Sequence, residues 1–236
     1  MKAENHKKQE IREALFKDLQ GIKERPLEHH LRKQSILSLV KTGQLILDIG
    51  TGDGDIAIEM ALMGNKVVGI DIDEKTLDIA QNLSKKYNVE VSFKVGDATR
   101  LPFKDKTFDL ILWGDVIEHF ENPNLLLTEG YRVLKKDGEA IITVPNLVSL
   151  RNRLLLLFGG REVFNWEFHK RYYIQSVLKT ELEKNNFVVK KVTSDFISFP
   201  KFPIKYFKRF RVYLASIFPS LGHHIIIYAV KKDGGA

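Results

Sequence analysis

Short apolar runs alternate with helix-periodic segments through the middle of the chain, and this alternation constrains the fold more than any other feature. The run Leu45–Ile49 stops at glycine and the run Lys66–Asp71 ends in aspartate. Runs of this length are typical of strands buried on both faces, while the segments between them carry apolar residues at helical spacing. Strands that alternate with helices form βαβ units, so the sequence predicts a parallel sheet covered by helices on both faces.

The same reasoning assigns the other segments and the domain limits. The predicted strands are residues 45–49, 66–71, 91–95, 108–113, 139–144, 187–193 and 225–230. The predicted helices are residues 56–62, 74–87, 122–134 and 174–184, together with two pieces within residues 8–42 that Pro26 separates. The stretch after Pro145 is predicted to be irregular. We divide the chain into an N-terminal helical segment, 1–43, and one domain, 44–236.

Charge and aromatic residues are unevenly distributed along the chain. The formal net charge is +4 for residues 1–43, −7 for residues 44–145 and +10 for residues 146–236. The last of these segments also holds 16 of the 24 aromatic residues. This asymmetry predicts two tasks: the middle of the chain holds a cationic or neutral small molecule, and the last third meets something anionic or amphiphilic.

Composition excludes several kinds of site. The chain has no cysteine, which excludes disulfides, thiolate zinc sites, iron–sulfur clusters and cysteine nucleophiles. No apolar run reaches the ~20 residues that a membrane span needs. The N-terminus is charged throughout and has no apolar core of a signal peptide, so we expect a cytoplasmic protein.

A glycine loop lies between the first predicted strand and the helix that follows it, with the sequence Asp48-Ile-Gly50-Thr-Gly52-Asp-Gly54. Small residues there let the backbone approach a ligand at the carboxyl end of the sheet. Asp71 ends the next strand, where a carboxylate can accept hydrogen bonds from both ribose hydroxyls. This pattern predicts a nucleoside site.

The loop departs from a dinucleotide fingerprint at Asp55. A fingerprint has glycine three residues after Gly52, and the carboxylate of Asp55 stands instead where a pyrophosphate meets the helix N-terminus. Repulsion there argues against NAD. A nucleoside that carries a positive centre and no phosphate suffers no such penalty.

Five stretches, in order, resemble class I S-adenosylmethionine-dependent methyltransferases, and most closely the group with ubiquinone- and menaquinone-biosynthesis methyltransferases (type 11 domain). They are LILDIGTGDGDIA (45–57), VVGIDID (67–73), VGDATRLPF (95–103), FDLILWGDVIEHF (108–120) and LLLTEGYRVLKKDGEAIITVPN (125–146). The resemblance implies a Rossmann-like, doubly wound, mostly parallel seven-stranded α/β sheet whose last strand is antiparallel, with N-terminal helices and a lid-like insertion. It also implies S-adenosylmethionine as donor and S-adenosylhomocysteine as product.

The resemblance assigns the residues around the donor. It implies that Gly50, Gly52 and Gly54 shape the loop around the methionine moiety and that Asp48 orients its amino group. Asp115 would line the pocket beside the transferred methyl group. The alternative is that Asp48 caps the turn and the glycines only end the strand.

The resemblance also assigns the nucleoside end of the donor. It implies that Asp71 holds the ribose hydroxyls and Ile72 packs on the adenine. Asp97 would accept from the adenine amino group, and the backbone N–H of Ala98 would donate to the ring. Taken alone, Asp71 could be a helix N-cap and Asp97 a solvated loop residue.

Asp115, His119 and His169 are the candidate catalytic residues. A base is needed only if the acceptor is a hydroxyl or an activated carbon, and the two histidines are its candidates. His119 has packing or capping as its alternative. Asp115, Glu118 and His119 also match an acidic-x-x-acidic-His pattern that holds a divalent metal in some quinone-pathway enzymes, so the need for a metal stays open.

Residues 145–173 and 196–222 are the predicted acceptor-site or lid elements. Within the first, the segment His169–Tyr173 either closes over the acceptor or forms an aromatic cluster that docks the next helix. The second contains the segment Phe196–Phe218, with eight aromatic, five basic and no acidic residues. That composition suits an anionic membrane, stacked nucleic-acid bases, or a lid with solvated lysines.

These features favour a small, hydrophobic or lipid-linked acceptor and peripheral contact with the inner face of an anionic membrane. The pI of about 9.3 raises RNA methylation as a rival. Against it, Gly114–Glu118 lacks the [DNS]PP[YF] motif that grips a flipped base. The third reading is a non-catalytic, cofactor-binding module. The sequence makes no prediction of oligomeric state.

Overall fold

The computed structural model describes residues 2–22, 27–160, 169–199 and 207–232. A seven-stranded sheet lies at its centre. The strands are β1 (Leu45–Ile49), β2 (Lys66–Asp71), β3 (Val91–Val95), β4 (Phe108–Gly114), β5 (Leu134–Pro145), β6 (Phe187–Thr193) and β7 (His224–Lys231). The helices are α1 (Lys2–Ile22), α2 (Leu27–Leu37), α3 (Asp55–Leu62), α4 (Glu74–Tyr87), α5 (Pro123–Val133), α6 (Leu150–Leu157), α7 (Gln175–Lys184) and α8 (Lys208–Ile217).

The strand order is β3-β2-β1-β4-β5-β7-β6. The pairs among β1 to β5 are parallel, and β7 runs antiparallel to both β5 and β6. The predicted fold class, with its antiparallel last strand, is therefore confirmed. The chain runs outward from β1 to β3 and then resumes on the other side of β1 at β4. Ligands of such sheets bind outside the carboxyl ends of the strands at this switch point.

Both faces of the sheet are buried, as the uninterrupted apolar runs predict. On one face, Ile49 and Trp113 belong to a core that includes Leu126 of α5 and Leu178 of α7. On the other face, strand residues pack with Ala57 and Met60 of α3 and with Ile36 of α2 (the strand residues are Ile46, Leu110, Leu112 and Ile141). The rigid sheet edge is thus held from both sides.

The two N-terminal helices pack directly on the sheet domain. Leu15 and Leu19 of α1 are buried against Ile58 of α3 and Leu83 of α4. Ile36 of α2 is fully buried in the core on the α3 side of the sheet. This packing brings the polar side of α2 to the start of α3, next to the glycine loop.

Two local expectations differ from the structure. The Asp137-Gly138 signal does not end the preceding helix before a separate strand; β5 begins at Leu134, and Asp137 adopts φ +57° within it. Residues 150–157, predicted as irregular, form α6, which Ser149 caps by accepting from the Asn152 N–H. Pro26, and the parts of the proposed lid elements at 161–168 and 200–206, lie outside the described residues.

Candidate functional site

The glycine loop turns sharply over the carboxyl end of β2. The N–H groups of Gly50 and Thr51 both donate to the Ile70 carbonyl, at 2.8 and 3.1 Å. Gly50 has φ +69°, and a Cβ added there would lie 2.5 Å from the Val116 side chain. Gly54 has φ +76°, and its Cβ would lie 2.8 Å from the Phe93 ring. Glycine is therefore required at these two positions by backbone conformation and by space.

Asp71 is held in place by the loop that it faces. Its Oδ2 accepts from the Gly52 N–H at 2.9 Å, and its Oδ1 accepts from the Asp73 N–H at 3.0 Å. Asp73, and not Asp71, caps α4 by accepting from the Lys75 N–H. The N-cap alternative for Asp71 is therefore wrong, and its carboxylate stands at the sheet edge.

A cavity of about 500 Å³ opens at the switch point, between the carboxyl ends of β1, β2 and β4. Seven of the predicted site residues line it: Gly50, Asp71, Ile72, Asp97, Ala98, Asp115 and His119. Ile72 is 76% exposed there, which is unusual for a large apolar side chain. Larger cavities in the described part of the chain lie at the amino ends of β1 to β3, between α1 and α2, and at the end of α4. We assign the site to the smaller cavity because parallel sheets bind ligands at their carboxyl ends.

The remaining predicted residues lie beside this cavity and not in its lining. Asp48, Gly52 and Gly54 belong to the loop beneath it, and the His169 ring centroid lies 4.9 Å from that of His119. At the rim, Asp97 is exposed, and its Oδ1 accepts from the N–H and O–H of Thr99. This geometry fits both the adenine role of Asp97 and its solvated-loop alternative.

Asp48 is a buried carboxyl group at the start of the loop. Burial raises its pKa to about 7, the Thr51 hydroxyl that donates to it at 2.7 Å opposes the shift, and the negative charges of Asp55 and Asp71 add to it. Such a group gains free energy when a cation arrives beside it. The bottom of the site is therefore prepared for a positive group.

Helix α2 supplies cations that sequence reasoning missed. Arg32 forms an ion pair with Asp115, and both Arg32 and Lys33 are more than nine-tenths buried. The Lys33 Nζ lies 3.3 Å from the Asp55 carboxylate and 3.3 Å from that of Glu59. Asp55 is the first residue of α3, so its carboxylate occupies the helix N-terminus where a pyrophosphate would bind.

Asp115 is bound by partners from several elements. Its Oδ1 accepts from the Thr143 hydroxyl at 2.7 Å, and its Oδ2 contacts Arg32 and lies 3.5 Å from His224 Nε2. Arg32, Thr143 and His224 were not predicted as site residues, because each is distant from Asp115 along the chain. The one available signal is that Thr143 and Asp115 both lie at carboxyl ends of adjacent strands.

Glu118, His119 and His169 form a second polar group. One possible ligand atom of each lies within 4.8 Å of the others, and His169 Nε2 is 4.0 Å from Glu118 Oε1. Both carboxylate oxygens of Glu118 are buried without a hydrogen-bond partner in the described part of the chain. Burial, with the charge of Asp115, raises the Glu118 pKa to about 8. One carboxyl and two imidazoles suit acid–base chemistry or a divalent cation equally.

The two ends of the segment His169–Tyr173 have different contacts. Tyr173 is buried, and its hydroxyl donates to Glu181 of α7 at 2.8 Å, so it docks the following helix. His169 instead faces His119. Burial, and then the charge of His119, lower the pKa of His169, so its imidazole is neutral at pH 7. Tyr173 thus shows the docking role, and closure of the segment over the acceptor stays a prediction.

Comparison with known proteins finds a domain match in the middle of the chain. Residues 47–142 match the family model described as a methyltransferase domain. A solved S-adenosylmethionine-dependent methyltransferase from Thermotoga maritima, described as a possible histamine N-methyltransferase, superposes with a TM-score of 0.63 at 23% identity and covers 85% of this chain and 87% of its own. Residues 47–142 thus match a methyltransferase domain, the likeness to the solved structure extends to the fold, and both agree with the predicted resemblance to class I S-adenosylmethionine-dependent methyltransferases.

Two curated relatives narrow the likeness further. The chain is 30% identical over 152 residues to a ubiquinone biosynthesis O-methyltransferase of Pelagibacter ubique, which covers 62% of each chain. It is 38% identical over 109 residues to a demethylmenaquinone methyltransferase of Lactobacillus johnsonii, over 42% of this chain and 43% of the relative. The chain therefore spans less than two thirds of the length of these relatives.

The buried Asp48 gives a prediction for pH-dependent stability. Its pKa is higher in the folded protein than in the unfolded chain, so its contribution to stability is full below about pH 4 and is lost as the pH rises to 7. Asp48→Asn removes this loss. We expect the substitution to raise the free energy of unfolding by about 1–3 kcal/mol more at pH 8 than at pH 4.5, measured by urea denaturation. Asp78→Asn, at an exposed residue, is the control. An Asp48→Asn effect that does not depend on pH would contradict the raised pKa of Asp48.

Proposed function

We propose that this protein transfers a methyl group from S-adenosylmethionine to a small, hydrophobic or lipid-linked acceptor by in-line displacement at sulfur-bound carbon. The observation that carries the proposal is the cavity at the switch point, where the glycine loop, Asp71, Ile72 and Asp97 converge. S-adenosylhomocysteine is the product.

The charges of the site match the charges of the donor. The donor carries an ammonium and a sulfonium, both positive, and one carboxylate. In this proposal the ammonium lies by Asp48, whose pKa burial raises and which therefore gains free energy when a cation arrives beside it. The carboxylate lies by Arg32, the buried cation of α2 that stands beside Asp115. The ribose hydroxyls bind Asp71, and the adenine packs on exposed Ile72 next to Ala98 and Asp97.

The methyl transfer needs alignment more than chemical assistance. A sulfonium is a reactive donor, and holding nucleophile, methyl and sulfur in line is worth up to about 7–11 kcal/mol. A hydroxyl acceptor must also lose a proton. His169, neutral at pH 7, and His119 are the groups of this chain that can accept it, with Glu118 beside them. The geometry of these three residues would also fit a divalent cation, which would polarise the acceptor oxygen when bound.

Donor recognition is tested by calorimetry on the purified protein. We expect S-adenosylmethionine and S-adenosylhomocysteine to bind and NAD not to bind. Asp71→Ala removes the acceptor of two ribose hydrogen bonds, so it weakens both ligands by more than tenfold. Asp73→Ala, which removes only the α4 cap, is the matched control and leaves donor affinity within twofold. An Asp71→Ala protein with unchanged affinity would show that the ribose lies elsewhere.

The acceptor class is tested by turnover with a methyl-labelled donor. The names of the two relatives above refer to ubiquinone biosynthesis and to demethylmenaquinone, which favours a ubiquinone precursor or demethylmenaquinone as the acceptor. We expect label transfer to one of these acceptors. His169→Gln removes the neutral imidazole and lowers the rate about 10²–10⁴-fold if a proton is transferred, with donor affinity unchanged. Transfer of label only to tRNA would favour the RNA methyltransferase, and no transfer to any acceptor would favour the non-catalytic module.

An exposed apolar face supports membrane contact. In α8, Arg211 and Ala215 face the protein, while Phe210, Tyr213 and Ile217 share the exposed side, with Phe207 73% exposed just before the helix. Large apolar side chains that recur on a solvent-facing helix side are typical of interfacial helices.

A second exposed group lies at the end of α6, where Leu157 and Phe158 are 75% and 82% exposed. The Arg153 guanidinium of α6 lies 3.5 Å from the carbonyl of Ser220, in the turn after α8, so the two helices are joined. No acidic residue occurs from Phe196 to Lys232, and Lys208 and Arg209 open α8. None of the helices in the described ranges has the length and apolar character needed to cross a bilayer. We infer peripheral attachment to an anionic surface.

Vesicle co-sedimentation tests this attachment. At low salt we expect binding to phosphatidylglycerol vesicles and little binding to phosphatidylcholine vesicles, because basic residues flank the apolar face. Replacing both Phe210 and Ile217 by Ser removes buried apolar area in the bilayer and cuts binding at least tenfold. Leu125→Ser, at an exposed apolar residue of α5, is the control. Absence of wild-type binding, or a double variant that binds fully, contradicts the proposed surface.

A further inference from the structure

Four charged side chains form a connected row behind the donor site. Asp195 follows β6, His224 opens β7, Asp115 follows β4, and Arg32 lies in α2. His224 and Arg32 are more than nine-tenths buried, and Asp195 is fully buried. Buried charges are costly unless they are paired, so we looked for a role of this row in the donor site.

Backbone hydrogen bonds hold the Asp195 carboxylate at one end of the row. Its Oδ1 accepts from the backbone N–H groups of Phe196 and His224, at 2.8 and 3.0 Å. Its Oδ2 lies 2.6 Å from His224 Nδ1. The carboxylate therefore holds the His224 ring in one orientation, as a carboxylate does for an imidazole in many sites.

The other ring nitrogen of His224 points toward the donor site. His224 Nε2 lies 3.5 Å from Asp115 Oδ2, the same oxygen that Arg32 contacts. Thr143 donates to the other Asp115 oxygen at 2.7 Å. Asp115 also adopts φ +57°, a left-handed conformation that costs free energy in a residue other than glycine and persists only where its surroundings enforce it.

The charges along the row alternate in sign. Burial acts to lower the His224 pKa, but Asp195 and Asp115 face the ring from two sides and raise it overall against the opposing charge of Arg32. Burial acts to raise the Asp115 pKa, but Arg32, His224 and Thr143 lower it overall. An imidazolium donates from both nitrogens, which is what a ring between two carboxylates requires.

We propose that Asp195 and His224 are positioning residues that act through Asp115 to fix the Arg32 guanidinium at the methionine end of the donor site. This inference rests on the proposed function, in which Arg32 faces the donor carboxylate. Neither Asp195 nor His224 touches the donor. Their effect is confined to the part of the ligand that Arg32 recognises.

His223 provides a matched control on the same strand edge. Its ring stacks on Phe196, with centroids 5.2 Å apart and planes 19° from parallel. Burial, and then the charge of His224, lower its pKa to about 4, so it is neutral. His223 is adjacent to His224 in sequence, and its Nδ1 lies 3.2 Å from His224 Nδ1. It touches the row of charges but, as a neutral ring, adds no charge to it.

Two ligands separate positioning from a general structural role. S-adenosylhomocysteine carries the amino-acid carboxylate, and 5′-methylthioadenosine lacks it. By calorimetry on the full chain, we expect His224→Gln to weaken S-adenosylhomocysteine about tenfold and to leave methylthioadenosine within twofold. Asp195→Asn shows the same pattern, and serves if the first variant fails to fold. His223→Gln leaves both ligands within twofold. In an Arg32→Gln background the His224→Gln effect disappears, because interacting residues are not additive.

The outcomes distinguish this inference from the proposed function. If His224→Gln weakens both ligands equally, or weakens neither, the positioning role is wrong while donor binding stands. If His223→Gln matches His224→Gln, the effect comes from packing at the β7 edge, which also overturns the proposal. A wild-type protein that binds neither ligand overturns the proposed function itself, and this inference with it.

Discussion

The parallel pairing of β1 with β2 on one side and β4 on the other is the constraint on which the site depends. It brings Gly50, Asp71 and Asp115, which are far apart along the chain, to one edge of the sheet. The bonds from Gly50 and Thr51 to the Ile70 carbonyl then fold the loop onto that edge. Because both faces of the sheet are buried, the edge is rigid, and the side chains that follow the strands keep their spacing.

The acidic middle of the chain and the basic N-terminal segment meet in the folded protein. The acidic middle of the chain places Asp48, Asp55 and Asp115 around the switch point, and α2, from the basic N-terminal segment, lays Arg32 and Lys33 against them. The carboxyl of Asp48 forms no ion pair in the described part of the chain, and burial together with the charges of Asp55 and Asp71 raises its pKa. Asp48 is thus a carboxyl that a cationic ligand group would stabilise.

Most of the sheet and the glycine loop could be predicted from sequence because their signals are local. Apolar runs specify strands, and the positive φ angles of Gly50 and Gly54 require the residue type found there. The Asp195–His224 pair and Arg32 could not be found in this way. Their roles depend on which elements meet in space, and no periodicity or spacing records that. The Asp137-Gly138 signal failed because the same residue types that end strands also form irregularities within them.

The backbone at Asp115 restricts what evolution can place at that position. At φ +57°, asparagine and glycine share the conformational tolerance of aspartate, whereas β-branched residues are excluded by their own Cβ substituents. Asparagine would keep the shape and discard the charge, and glycine would discard both. Homologues that keep the ion pair with Arg32 can therefore accept almost no substitution at Asp115. A homologue with another residue there would have lost this ion pair.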